Sequence, residues 1–140
     1  MAGGGRGRAA EGTADQKGYE QVITVVGCGG DRDKTKRKAM GATAAMYSNK
    51  AILTSDNPRT ENPSQILIDM KEDLTLDLMK KVVTVEDRRE AIRMAVMLAK
   101  KDDIILLAGK GHEKYQEIKG VKFPFDDKAV LLEAFKELDK

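Results

Sequence analysis

Tryptophan is missing, and phenylalanine and tyrosine number three each in 140 residues, so a base-stacking surface for single-stranded nucleic acid would be poorly supplied. The single cysteine, Cys28, excludes an internal disulfide and a multi-cysteine metal site. Histidine also occurs once, as His112, which rules out a histidine pair. No apolar run approaches the roughly 20 residues needed to cross a bilayer, and residues 1–18 lack the apolar stretch of a secretory signal. Charge of one sign is lacking too: 25 basic residues are interspersed with 23 acidic ones, and a net charge of +2 does not suggest a nucleic-acid partner. These absences describe a cytoplasmic protein with neither membrane nor nucleic acid as partner. What is present, 41% hydrophobic and 34% charged residues, suits one soluble domain with a respectable core.

Residues 1–18 are rich in glycine and alanine without a hydrophobic period, and read as a flexible tail or an expression remnant; the ordered domain is expected over 19–140. From there short apolar runs alternate with helical patterns. Strands are expected at 21–26 (QVITVV), 51–54 (AILT), 82–85 (VVTV) and 104–108 (IILLA). A helix is expected over about 35–48, with Ala39, Met40, Ala44 and Met46 as its apolar surface. A second opens at a capping box of Asn62, Pro63 and Gln65 and carries Ile66, Met70 and Leu74. A third follows a similar box at 87–90 and buries Ile92, Ala95, Val96 and Ala99. Arg88 and Arg89 at its start read as exposed surface charges. Segments 115–118 and 121–125 form a hairpin around Lys119-Gly120, and a last helix over about 127–138 buries Val130, Leu131, Ala134, Phe135 and Leu138. Four apolar strands separated by helices imply an α/β, Rossmann-like, mostly parallel sheet covered on both faces, with the antiparallel hairpin at one edge.

In such a sheet, ligands bind at the carboxyl ends of the strands. The loops there are 27–34 (GCGGDRDK), 55–59 (SDNPR), 86–88 (EDR) and 109–113 (GKGHE), and they gather most of the polar and glycine residues. Arg32 stands where a G-x-G-x-x-G fingerprint needs glycine, and no G-x-x-x-x-G-K-[ST] phosphate loop occurs in the sequence. In the second loop Arg59 can pair bidentately with a carboxylate while Asp56 or Asn57 receives an amine, the set a zwitterion requires. The same residues also suit a plain turn with Pro58 at its second position. His112 reads as a general base or, more simply, a structural hydrogen-bonder, and Glu113 as an acceptor for an amine or a solvated carboxylate. Cys28 reads as a small filler in its turn.

Taken together, GCGGDRDKTKR at 27–37, TSDNPR at 54–59 and AGKGHEKYQ at 108–116 closely resemble the Mur ligases of peptidoglycan synthesis, of the type that adds meso-diaminopimelate. The likeness spans about residues 20–140. It departs where many members have proline after the Lys-Arg of the first motif and this chain has Lys38.

The resemblance implies a clamp for meso-diaminopimelate made of Asp56, Asn57, Pro58 and Arg59. It implies that Arg32 holds a carboxylate of the same ligand, that Gly109 and Glu113 contact its distal end, and that Asp31 reaches the ribose of ATP. It further implies that this is the C-terminal domain of a longer enzyme. There ATP and Mg2+ serve in a central domain, a D-glutamyl carboxylate is activated as an acyl phosphate, and the amine of diaminopimelate attacks it. The isolated chain is then expected to bind no nucleotide cofactor and to be inactive. Two other readings stand beside this one: a stand-alone binding module, for a nucleotide for example, and an excised or redesigned domain kept for its compact fold.

Overall fold

A computed structural model describes residues 21–31, 33–109 and 114–140. The expected tail at 1–18, Arg32, and the loop with His112 and Glu113 lie outside the described residues. The elements follow in the order β1 (Val22–Cys28), α1 (Thr35–Met46), β2 (Lys50–Ser55), α2 (Pro63–Met70), α3 (Leu76–Met79), β3 (Val82–Thr84), α4 (Arg88–Leu98), β4 (Ile104–Ala108), β5 (Tyr115–Ile118), β6 (Val121–Pro124) and α5 (Asp127–Glu137).

β1 lies third in a four-stranded sheet ordered β3-β2-β1-β4, and all three pairings are parallel. Because side chains alternate across a strand, each strand supplies two cores. Ile23 and Val25 of β1, with Ile52 and Ile105, pack against Ala91, Ile92, Ala95 and Val96 of α4 and Val130, Leu131 and Ala134 of α5. On the other face Val26, Cys28 and Leu53 meet Ile66, Leu67 and Met70 of α2. The predicted apolar faces of α4 and α5 are therefore buried as expected, with Phe135 and Leu138 partly covered.

Cover is incomplete at both edges. Val83 and Thr84 of the short β3 are exposed. Beside β4, among the described residues, Val26, Leu106 and Ala108 floor an open cleft of about 810 Å³ walled by Met40, Thr43 and Tyr47. Continuous apolar strands therefore overstated the cover: the outer strands have a helix on one side only.

Helix α1 also departs from its pattern. Its buried residues are Arg37, Gly41 and Ala45, spaced four apart, while Ala39 and Met46 are exposed. A β-carbon on Gly41 would lie 1.9 Å from the Met70 carbonyl oxygen, so α1 and α2 pack backbone to backbone, and the stripe was chosen by size rather than apolarity. Helix α2 starts as expected, with Asn62 Oδ1 accepting from Ser64 N at 2.8 Å and Pro63 in the first turn. Gln65 does not complete the reciprocal box; its Nε2 donates along the helix to Asp69 at 3.0 Å. The helix ends at Met70, so Leu74 lies outside it, and Thr75 caps a separate turn, α3, by accepting from Leu78 N. Asp87 and Asp126 cap α4 and α5 in the same way, each accepting at 3.0 Å.

The hairpin β5-β6 is antiparallel as expected but forms its own two-stranded sheet. Its attachment is to the loop after β2: Arg59 N donates to Glu117 O at 3.0 Å, Lys119 N to Arg59 O at 2.6 Å, and Glu117 N to Asn57 Oδ1 at 2.7 Å. That loop occupies the hairpin's hydrogen-bonding edge, so the hairpin stands over the carboxyl end of the sheet.

Gly41→Ala separates the two effects on α1. In an open helix the change stabilises by about 1 kcal/mol. Against the Met70 carbonyl the expected outcome is a loss of about 1–3 kcal/mol, read as a fall in the urea midpoint at unchanged m-value.

Candidate functional site at the carboxyl edge of the sheet

The carboxyl ends of β1, β2 and β4 bring Gly27, Asp31, Asp56, Asn57, Pro58, Arg59 and Gly109 to one edge, as the loop positions predict. The two loops after β1 and β2 are one unit. Gly30 N donates to Asn57 O at 2.9 Å, and Arg59 Nη1 donates to Gly30 O at 2.9 Å and to Asn57 O at 3.2 Å. A β-carbon at Gly30 would lie 1.9 Å from Pro58 O, so only glycine permits the contact. Asp31 N donates to Glu61 Oε2 at 2.5 Å, while the Asp31 carboxylate accepts from Thr60 N at 3.2 Å and Thr60 Oγ1 at 2.6 Å.

Three side-chain-bearing residues here adopt left-handed backbone: Asp31 (φ 54°), Asn57 (φ 48°) and Arg59 (φ 53°). Such conformations cost of order 1–2 kcal/mol for an L-residue, least for Asp and Asn, and the interlocked hydrogen bonds hold them. Asp56 and Asn57 are 3% and 2% exposed, and Arg59 is half-buried with its Nε 3.5 Å from Glu117 Oε1. Gly109 has φ 103° and would place a β-carbon 2.3 Å from Gly27 O, which fixes the end of β4 against the end of β1.

Beneath the loops lie groups that the sequence did not single out. Arg37, 2% exposed, donates from Nη1 to Asp69 Oδ2 at 2.9 Å and from Nη2 to Glu61 Oε2 at 2.8 Å and Gly29 O at 3.2 Å. Burial opposes its charge, but the bonds from Glu61 and Asp69 prevail and raise its pKa. The Arg37 hydrogen bond is the main cause holding Glu61 below its ordinary 4.5, and Gln65, then Arg37, hold Asp69 below 3.8. Cys28 is buried with its thiol donating to Met40 Sδ at 3.4 Å, and burial pushes its pKa up to about 11, with Arg37 opposing, so it is the filler the sequence suggested.

Arg88 is a correction. Read as an exposed charge, it is fully buried: its Nε and Nη2 grip Asp127 at 2.8 and 2.6 Å, and Nη2 also donates to Ala108 O at 3.2 Å. Removing one partner of such a pair costs roughly 3–5 kcal/mol. Its position after the Asp87 cap is the same as that of any helix-start cation, and nothing local announced a carboxylate 39 residues away. Arg89 is exposed as expected, its guanidinium paired with Glu133 and 5.6 Å from the Phe125 ring centroid.

The architecture is that of an α/β domain: an open parallel sheet carries two cross-locked, charge-bearing loops over its carboxyl edge, where guanidinium and carboxylate groups stand together. The family model described as "Mur ligase, glutamate ligase domain" matches residues 7–111, and the chain belongs to this family. It is 58% identical over 127 residues to the UDP-N-acetylmuramoyl-L-alanyl-D-glutamate--2,6-diaminopimelate ligase of Bacteroides thetaiotaomicron, covering 91% of this chain and 26% of that protein. The protein of the same name from Cytophaga hutchinsonii is 53% identical over 124 residues, 89% of this chain and 26% of its own length. A solved structure of a ligase so named superposes with a TM-score of 0.83 at 44% identity, covering 91% of this chain and 26% of that one. The chain thus spans about a quarter of the length of the relatives it matches.

The Arg37 network sets a pH dependence. Because Glu61 and Asp69 titrate lower in the folded chain than unfolded, their contribution is complete above about pH 4.5 and is lost as pH falls through their folded values. Arg37→Met is expected to destabilise strongly at pH 7 and much less at pH 3. Urea midpoints of both proteins between pH 7 and 3 check this; a gap that stays constant with pH contradicts it.

Proposed function

We propose that this chain is the C-terminal, amino-acid-binding domain, residues 19–140, of a ligase that adds meso-diaminopimelate to UDP-N-acetylmuramoyl-L-alanyl-D-glutamate in peptidoglycan synthesis. The observation that carries the reading is the loop Asp56-Asn57-Pro58-Arg59. Its Asn57 and Arg59 are held in left-handed backbone, and the loop is stitched to the glycine turn after β1 and set in a chain more than half identical to ligases named for diaminopimelate.

Diaminopimelate carries a carboxylate and an amine at each end, so its recognition calls for a cation and an acceptor together at both ends. Arg59 and Arg32 take carboxylates, Asp56 or Asn57 receives an amine, and Gly109 and Glu113 meet the distal end. Pro58 and the Gly30 contact keep the Arg59 fork in place before the ligand arrives, which limits the entropy lost on binding. The domain's part in the reaction is positioning: it presents the attacking amine to the activated D-glutamyl carboxylate.

ATP and Mg2+ are the co-substrates that this reaction class uses to activate a carboxylate. Asp31 fits a contact to the ribose, since its exposed carboxylate spends two acceptor sites on Thr60 and a carboxylate has about four. Among the described residues no cluster of three His, Cys, Asp or Glu suits a metal ion; separately, the family reading has the Mg2+ ligands in the central domain of the parent enzyme. The reading places the protein in the cytoplasm beside its nucleotide substrate, and no helix among the described residues is long and apolar enough to cross a membrane.

Calorimetric titration of the chain with meso-diaminopimelate and with lysine tests the proposal. Diaminopimelate is expected to bind more tightly, because lysine lacks the second carboxylate. Loss of a charge-assisted contact of roughly 1.5–3 kcal/mol in Arg59→Ala should weaken it by about one to two decades. Arg59→Lys should not restore binding, since an ammonium replaces neither the planar fork nor its bonds to Gly30 and Asn57. Equal affinity for the two amino acids, or indifference to Arg59→Ala, would show the loop to be only a turn.

A further inference from the structure

The Arg88 guanidinium lies under the carboxyl ends of three strands. Two of its nitrogens hold Asp127 at the start of α5, and one of these also holds Ala108 O at the end of β4. The remaining nitrogen, Nη1, is buried and has no hydrogen-bond partner among the described residues. It lies 3.0 Å from the point where a β-carbon on Gly27 would sit, and Asp56 Cβ lies 2.8 Å from the same point. Thr54 O is also 3.0 Å from it. The absent side chain of Gly27 is therefore the gap across which a buried cation faces the stem of Asp56.

A fully buried guanidinium with an unspent N–H is costly to keep unless its charge serves something. Asp127 already satisfies the pairing requirement from one side. Nη1 faces the other way, towards β1 and β2, where a second hydrogen bond to protein would have been the simple solution. We propose that Arg88 is a positioning residue for the amino-acid site. From beneath, it fixes the place and electrostatic surroundings of Asp56 relative to the end of β4 at Ala108–Gly109, without touching the ligand itself. The inference rests on the reading of this edge as a diaminopimelate site and extends it to a residue outside the three loop motifs.

A role through Asp56 differs measurably from that of a simple brace. A brace, when weakened, lowers the melting temperature and leaves the affinity of the folded molecules unchanged. A positioning residue shifts affinity, and the shift vanishes once Asp56 can no longer accept the amine as an anion.

The experiment is a double-mutant cycle on the 140-residue chain, titrated with meso-diaminopimelate well below the melting temperature of each protein: parent, Arg88→Lys, Asp56→Asn and the double variant. Arg88→Lys should weaken binding by about tenfold, in the range of coupling between neighbours in one network, and the double variant should match Asp56→Asn. If Arg88→Lys does not fold, Asp127→Asn, which keeps the guanidinium but removes its charged partner, enters the same cycle with a smaller expected loss in the same direction. Affinity within twofold of the parent in the folded variant, or losses that simply multiply in the double variant, would overturn the role of Arg88 alone. A parent chain that does not distinguish diaminopimelate from lysine would instead overturn the reading of the site.

Discussion

Arg37 reaches from the first turn of α1 to Gly29 O, Glu61 and Asp69, and through these three acceptors it joins the turn after β1 to the residues just before α2 and to its last turn. Everything above it follows in sequence. Glu61, oriented by Arg37, accepts from the Asp31 amide. Asp31 in turn receives Thr60, and Gly30 docks on Asn57 and Pro58. The loop carrying Asp56 to Arg59 rests on this foundation. A buried ion pair is weak evidence for net stability, since desolvation offsets much of the attraction. Its plainer effect here is to fix one arrangement of two loops that would otherwise move independently.

The site is consequently rigid in its foundation and polar at its surface. Neutral backbone carbonyls of Gly30 and Asn57 take one nitrogen of Arg59, while Glu117 lies beside its Nε. The guanidinium is thus oriented without being neutralised by a close bidentate partner. On the function proposed above, an arriving carboxylate would replace this loose contact with a tight one.

Much of this was legible in the residues. Strands β1, β2 and β4 and helices α4 and α5 announced themselves by period and caps, and the carboxyl-edge rule led directly to the loops. What escaped was of several kinds. Arg37 and Arg88 are the largest fully buried side chains, yet a charged residue in a helix's first turn reads as surface unless its distant carboxylate is known. Gly41 likewise belongs to a buried stripe that hydrophobicity does not mark. The separate turn α3 was hidden because Leu74 continued the four-residue spacing of α2, and only the competing cap at Thr75 breaks it. The hairpin was readable, but its docking partner was not, since a loop rather than a strand fills its edge.

That docking links the order of two remote pieces of chain. The hairpin joins the described body through Arg59 and Asn57 backbone and amide groups, at Glu117, Ile118 and Lys119. Free energy that stiffens the loop must therefore stiffen the hairpin by the same coupling, and the reverse, since linkage is reciprocal. The β5-β6 ribbon is in this sense a lever arm on the site: its own main-chain protection records, at a distance, how firmly the loop beneath it is held.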